Sequence, residues 1–80
     1  MGDFTLGKRT AEGSIIFTFN RIYTTRGIIY FVSAAGYSTN TYFQMVESSG
    51  IWKIVLAPKP PDWVLQHEEE LARAISSNQN

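Results

Sequence analysis

The side chains best suited to chemistry in this 80-residue chain lie together, at His67 and the glutamates that follow it. His67 and Glu68 begin the pattern H-E-x-x-H, in which two histidines one helical turn apart bind zinc and the glutamate acts as a base. The second histidine position holds Leu71, and the chain has no other histidine and no cysteine. We therefore predict no metal site. We expect His67 to be partly buried, or to make a mildly pH-sensitive contact, at the edge of an apolar helix stripe.

The three consecutive glutamates do not form a catalytic pair. Glu68, Glu69 and Glu70 point about 100° apart on a helix, so their carboxylates do not converge on one substrate. Glu68 projects into the apolar arc, where we expect a lysine or arginine of the sheet to pair with it, whereas Glu69 and Glu70 face water. The lone histidine and the scattered serines give no arrangement of nucleophile and base. These patterns predict that the protein is not an enzyme and binds no cofactor.

A near match to a phosphate-binding loop lies at residues 2–9, which read GDFTLGKR. The pattern G-x-x-x-x-G-K-[ST] requires a hydroxyl to hold magnesium, and Arg9 stands at that position. No strand precedes the first glycine, and a chain this short has no room for the parallel sheet that such a loop follows. We therefore predict that residues 1–13 form a flexible N-terminal arm or an edge strand.

The block from Ser14 to Val55 alternates between apolar or aromatic residues and polar ones, which is typical of antiparallel strands. Polar or glycine-containing breaks at 24–27, 35–38 and 47–50 divide the block into four segments. The second segment is apolar on both faces and is therefore expected to be central. The strands are predicted at residues 14–23, 28–34, 39–46 and 51–56.

The register of the last hairpin follows from which side chains share a face. If Val46 faces Ile51, then Met45 faces Trp52 and the large apolar residues lie on one side. A three-residue loop with a glycine bulge instead pairs Met45 with Lys53 and mixes apolar with charged side chains. We predict the first register.

Three prolines within residues 58–61 end the sheet, and an amphipathic helix follows. The predicted linker covers residues 57–61, the helix covers 62–76 and the tail at 77–80 is expected to fray. The apolar stripe of the helix comprises Val64, Leu71, Ala72, Ala74 and Ile75. The chain is thus predicted to hold a single α+β domain at 14–76: a four-stranded antiparallel meander with one C-terminal amphipathic helix packed on one face.

Two short motifs flank the end of the predicted sheet. Residues 50–54 read GIWKI, residues 61–63 read PDW, and an aromatic strand block precedes them. In this arrangement the chain resembles short bacterial proteins of uncharacterised function, over roughly residues 15–76. The resemblance implies an α+β fold and implies no activity.

A second resemblance concerns residues 26–32, which read RGIIYFV. A basic residue, a glycine and then alternating aromatics on a strand are similar to the signature of RNA-recognition-motif and cold-shock domains, in which aromatics stack on bases. Ile28 and Ile29 replace the first aromatic and a glycine of that signature. The resemblance implies single-stranded nucleic-acid binding through an aromatic, mildly basic sheet face. The candidate binding residues are Arg21, Arg26, Tyr30, Tyr42 and Lys53.

Charge is divided unevenly along the chain although its net charge is +0. Residues 1–61 carry a net charge of +3 and residues 62–80 carry −3. We expect the basic sheet and the acidic helix to attract each other weakly, and a dipolar docking surface is the alternative. Overall neutrality does not favour a strongly charged partner, so nucleic acid is the less favoured one.

Composition is typical of a small globular protein, with 44% hydrophobic and 18% charged residues. The longest apolar run, residues 28–32, is too short to cross a bilayer, and no signal-peptide pattern opens the sequence. We expect a cytoplasmic protein without membrane contact. A sheet with one uncovered face favours a non-enzymatic protein-interaction or self-associating module. Its partner would be itself, as a homodimer paired face-to-face or edge-to-edge, or another protein.

Overall fold

Alternation of apolar and polar residues continues through five strands, which pair in chain order into one antiparallel sheet. The computed structural model describes residues 3–11, 13–36 and 39–78. The sheet is a half-barrel, and two short helices, α1 (Asp62–Leu65) and α2 (Glu68–Ser77), follow it. The strands are β1 (Phe4–Thr10), β2 (Gly13–Thr24), β3 (Gly27–Gly36), β4 (Thr39–Ser48) and β5 (Ile51–Ile54). The α+β class and the antiparallel meander are confirmed, and β3 is central as predicted.

The prediction of four strands is wrong because residues 4–10 form a fifth, β1. This segment has only two large apolar residues, so its alternation is weak in the sequence. In the sheet, Phe4 lies opposite Phe19 and Leu6 lies opposite Phe17, and both β1 side chains pack against the core. Phe4 stacks on Phe19 with ring centroids 4.4 Å apart. Cross-strand apolar pairing thus holds β1 at one edge of the sheet.

The hydrophobic core lies between one face of the sheet and the two helices. The two layers bury their apolar side chains against each other, as expected for an amphipathic helix on a half-buried sheet. Val64 from α1 and Leu71 and Ile75 from α2 are fully buried, as the predicted stripe requires. The sheet contributes Ile15, Phe17, Phe19, Tyr30, Val32, Ala34, Phe43, Met45, Trp52 and Ile54.

The β4–β5 hairpin has a tighter turn than predicted. Ser48 pairs with Ile51 and Met45 pairs with Ile54, so neither register considered from the sequence is correct. Ser49 and Gly50 alone form the turn, and both have positive φ, 54° and 81°. Positive φ at both turn residues matches the right-handed twist of the flanking strands. The register differs by two residues from the prediction, so each side chain stays on its predicted face.

The single helix predicted at 62–76 is also wrong, because the chain breaks at Gln66 and His67. The His67 N–H donates to the Val64 carbonyl at 3.0 Å and ends α1, while the His67 carbonyl accepts the Leu71 N–H at 2.9 Å and begins α2. Neither glycine nor proline occurs between 62 and 77, so the break has no signal in local propensity. Each piece buries its own residues, which indicates that docking on the sheet determines the break.

Some predictions fall on residues outside the described ranges. Tyr37 and Ser38 of the second predicted break and Gln79 and Asn80 of the tail belong to this group, as does Gly2 of the loop-like motif. None of the helices in the described ranges is long and apolar enough to cross a membrane.

Candidate interaction surfaces

The sheet face opposite the helices, here called the outer face, carries large apolar side chains that no element covers in the described part of the chain. These side chains belong to the strand positions that alternate with the core. Their exposure ranges from 37% for Phe31 to 60% for Tyr42. The outer face thus exposes several large apolar side chains to water, which is a feature typical of interaction surfaces. Its large apolar members are Ile16, Ile22, Phe31, Tyr42 and Ile51.

Two of these side chains form a flat aromatic pair near the middle of the outer face. The rings of Phe31 and Tyr42 are stacked, with centroids 6.2 Å apart and planes 14° apart. A groove of ≈ 230 Å³ runs from this pair to Val55, Ala57 and Pro58, and Gln44 contributes to its lining. The groove is therefore apolar on both sides and has an amide available for hydrogen bonding.

The charged strand residues of the outer face are basic, and a carboxylate on the same face, Asp3, lies just before β1. Arg9 on β1 and Lys53 on β5 occupy outer-face positions, and none of the described strand residues places a carboxylate there. The acidic residues of the helices lie on the opposite side of the sheet. The segregation predicted from the sequence therefore results in a mildly basic, aromatic face and an acidic helix layer.

Two of the five candidate binding residues lie on the helix-covered face. Tyr30 is fully buried in the core, with its ring 5.2 Å from that of Trp52, so it is not available to stack on a base. Arg21 donates from Nε to the Tyr30 hydroxyl at 2.9 Å and from an amino group to the Asn78 carbonyl at 3.3 Å. Hydrogen bonds to Tyr23 and Tyr30 raise the pKa of Arg21, which stays charged. Arg21 therefore ties the sheet to the end of α2.

The other three candidates do not meet Arg21 and Tyr30. Tyr42 and Lys53 lie on the outer face, and Arg26 lies in the turn between β2 and β3. The structure thus divides the predicted site between two faces and a turn. Of the proposed stacking residues, Tyr42 alone is both exposed and on the outer face, where Phe31 accompanies it.

One edge of the sheet is closed by a side chain of α2. The Val55 N–H donates to the Gln44 carbonyl at 2.9 Å, so in the alternating ladder the N–H groups of Trp52 and Ile54 point away from β4. Glu68 Oε2 accepts the Ile54 N–H at 2.8 Å. The expected lysine or arginine partner of Glu68 is therefore wrong, and the carboxylate instead protects the β5 edge from pairing with another strand.

The β1 edge has no such protection. Two residues separate Thr10 from its partner Gly13, and the pair that closes a two-residue hairpin is hydrogen-bonded. The alternation then directs the N–H and carbonyl groups of Thr5, Gly7 and Arg9 away from β2. All three residues are exposed, and within the described ranges no hydrogen bond reaches these outward groups. The β1 edge is thus open for hydrogen bonding.

A polar cluster joins β1 to α2 on the core side. Lys8 Nζ lies 2.7 Å from Glu70 Oε2, and His67 Nδ1 lies 3.2 Å from Glu70 Oε1. The hydrogen bond with Lys8 and then that with His67 hold the pKa of the Glu70 carboxyl below its ordinary value of 4.5. Glu70 is therefore not directed into water as predicted. The cluster supports the predicted attraction between the basic sheet and the acidic helix.

His67 is packed against the core. Its side chain is 11% exposed, its ring lies 5.9 Å from that of Phe17, and Nε2 is buried without a hydrogen-bond partner. In the described ranges no group of three or more potential metal-ligating side chains is arranged to hold an ion. The residues around His67 thus form a packing contact and an ion pair.

The candidate binding residues predicted from the sequence include neither Phe31 nor any residue of β1. Phe31 follows Tyr30 directly, so strand alternation alone places the two on opposite faces, and the core position of one predicts the exposure of the other. Asp3, Leu6 and Arg9 lie within the motif that resembles a phosphate-binding loop. Their signal was the alternation of Phe4, Leu6 and Lys8 along one face.

No protein-family model matches this chain, and no curated protein or solved structure matches it either. Its function is therefore inferred from the geometry of the sheet's faces and edges.

Proposed function

We propose that this protein is a small, non-enzymatic interaction module that self-associates through its sheet. One observation carries the proposal: in the described part of the chain the helices cover one face and close one edge, and they leave the outer face and the β1 edge open. An uncovered edge is a template for another strand, and an exposed apolar face favours association. A second copy of the chain is always available as a partner for such an edge or face.

Mass in solution tests self-association. Light scattering on the full chain over a roughly hundredfold dilution series should show a mass above 9.0 kDa that falls toward 9.0 kDa on dilution. The fall distinguishes reversible association from aggregation. A constant mass of 9.0 kDa at every concentration would overturn the proposal.

A second candidate function is the binding of single-stranded nucleic acid on the outer face. The stacked Phe31–Tyr42 pair, together with Lys53 and the absence of carboxylates from the described outer-face strand positions, favours it. Tyr30 has no part in this version of the site because it is buried.

The second candidate is tested with a fluorescent oligothymidine. Its anisotropy should rise at low salt and fall again at high salt, because phosphate contacts release counterions. Tyr42→Ala should weaken binding about tenfold, as expected for the loss of one stacked base. Tyr23→Ala, at a tyrosine that is 69% exposed and belongs to the other face, should have no effect. Absence of binding at low salt would eliminate this candidate.

A further inference from the structure

We infer that two copies of the chain pair antiparallel through their β1 edges, about a two-fold axis at Leu6, so that their sheets join into one. This inference rests on the proposed self-association and specifies its surface. Three features of β1 support it: its free backbone groups, the order of its charges and the groove beside it. A fourth is the closure of the opposite edge of the sheet, β5.

The free backbone groups determine which registers are allowed. Thr5, Gly7 and Arg9 direct their N–H and carbonyl groups outward, so each of them must lie opposite a residue whose backbone groups also point outward. A two-fold axis at Leu6 places Thr5 opposite Gly7 of the second copy and Gly7 opposite Thr5. Every outward group of these two residues then gains a partner, and the two Leu6 side chains form a close pair at the axis.

The charges select this register. Asp3 precedes β1 and Arg9 lies near its end, and both are exposed. An axis at Leu6 places Asp3 of each copy opposite Arg9 of the other, so that two Asp3–Arg9 ion pairs form across the interface. An axis at Gly7 would instead place Arg9 opposite Thr5 and leave Asp3 beyond the strand. The strand is thus self-complementary in charge only about Leu6.

Space for the second Leu6 is present beside the first. An open groove of ≈ 320 Å³ lies between β1 and α2, lined by Leu6, Glu70, Arg73, Ala74 and Ser77. Leu6 is half-buried at its wall, and Ala74 gives the groove a second apolar side. A leucine from a second strand alongside β1 would extend the core at this place.

Other modes of pairing are less favourable. The β5 edge is four residues long, and Glu68 already binds its Ile54 N–H. Two outer faces packed on each other would bring together surfaces whose strand charges, Arg9 and Lys53, are all positive. Pairing through β1 leaves both outer faces free, on the same side of a joined sheet.

Proline substitution tests the backbone pairing. Thr5→Pro removes an outward N–H without breaking the β1–β2 ladder, and proline is tolerated at such edge positions. Sedimentation velocity should show the dimer dissociation constant rising about tenfold or more, because two symmetry-related hydrogen bonds are lost. Thr5→Val, which keeps the N–H, is the matched control and should dimerise like the native chain. Circular dichroism checks that the proline variant is folded.

Charge exchange tests the register independently of any effect of proline on folding. Asp3→Arg alone and Arg9→Asp alone each place like charges opposite each other and should weaken the dimer a few-fold. The double variant Asp3→Arg/Arg9→Asp restores opposite charges and should recover native affinity. Low salt makes this effect largest.

The outcomes separate the inference from the proposed function. A native dimer that Thr5→Pro and the single charge variants leave intact would overturn pairing through β1 while self-association stands. Loss of the dimer in Tyr42→Ser would point instead to the outer face and would also overturn it. A native chain that is monomeric at all concentrations would overturn both.

Discussion

At the scale of single residues, Glu68 has an unusual role. Its carboxylate, on a helix, accepts the hydrogen bond that a neighbouring strand would otherwise accept from the β5 edge. Its Oε2 accepts the N–H of Ile54, a residue that is only 5% exposed. Glu68→Ala leaves this donor unsatisfied and should cost about 1 to 3 kcal/mol of unfolding free energy. Glu68→Gln keeps an acceptor and should cost less. Urea unfolding measures both, with exposed Glu69→Ala as the control, and equal stability of Glu68→Ala and Glu69→Ala would contradict the assigned role.

The environment of Glu70 predicts how the stability of the protein depends on pH. The folded pKa of this residue lies below 4.5, so its contribution to stability is present above the unfolded pKa and is lost as pH falls through the folded pKa. The carboxylate is 38% exposed, so solvent screening keeps the contribution small. Lys8→Met removes the main cause of the shift. We expect the Glu70 pKa to rise toward 4.5 in that variant, as measured by carboxyl NMR titration. An unchanged titration curve would contradict the Lys8 contact.

At the scale of elements, α2 is held by two fully buried side chains, Leu71 and Ile75. Leu71→Ala should cost about 2 to 5 kcal/mol, which is a large part of the stability of so small a domain. Glu69→Ala should cost only a few tenths of a kcal/mol of unfolding free energy, because its ion pair with Arg73 is exposed. Thermal melts compare the two variants. If Leu71→Ala were as stable as Glu69→Ala, α2 would not be packed on the sheet.

The β4–β5 turn gives a test of backbone conformation alone. Gly50 has a φ of 81°, and a Cβ added there would meet no atom within 4 Å. Gly50→Ala should therefore cost about 1 kcal/mol through its left-handed backbone, with no clash against atoms elsewhere in the fold. Gly7 has equally open surroundings and no positive φ, so Gly7→Ala is the matched control and should leave the monomer at least as stable. Equal effects of the two substitutions in urea unfolding would contradict the turn geometry.

Period-two alternation made most of the sheet predictable from sequence, whereas register and helix breaks were not. Met45, Trp52 and Ile54 were placed on the correct face because a strand has only two faces. Their register depended on positive φ at Ser49, which serine does not signal strongly. The helix break at His67 and the Glu68 contact with Ile54 depend on how α2 meets the sheet. They are tertiary effects that no local window contains.

At the scale of the whole molecule, the candidate site shows the same limit. Tyr30 and Arg21 were grouped with Tyr42 and Lys53 by residue type, but the pleat separates the two pairs onto opposite faces. The sequence showed that basic residues lie mainly in the sheet and acidic residues in the helices. It did not show that Lys8 and Glu70 make the contact between them. The sequence left residues 1–13 undecided between a flexible arm and an edge strand, because an edge strand needs only one apolar face and gives little sequence signal.

The molecule's central feature is an asymmetry between its edges: α2 closes β5 and leaves β1 open. Amide hydrogen exchange of the native chain, followed by NMR at low and high protein concentration, tests it most directly. The amides of Thr5, Gly7 and Arg9 should exchange rapidly in dilute protein and become protected as concentration rises, while the Ile54 amide stays protected throughout. Rapid exchange of the three β1 amides at every concentration, or equally slow exchange at both edges in dilute protein, would contradict it.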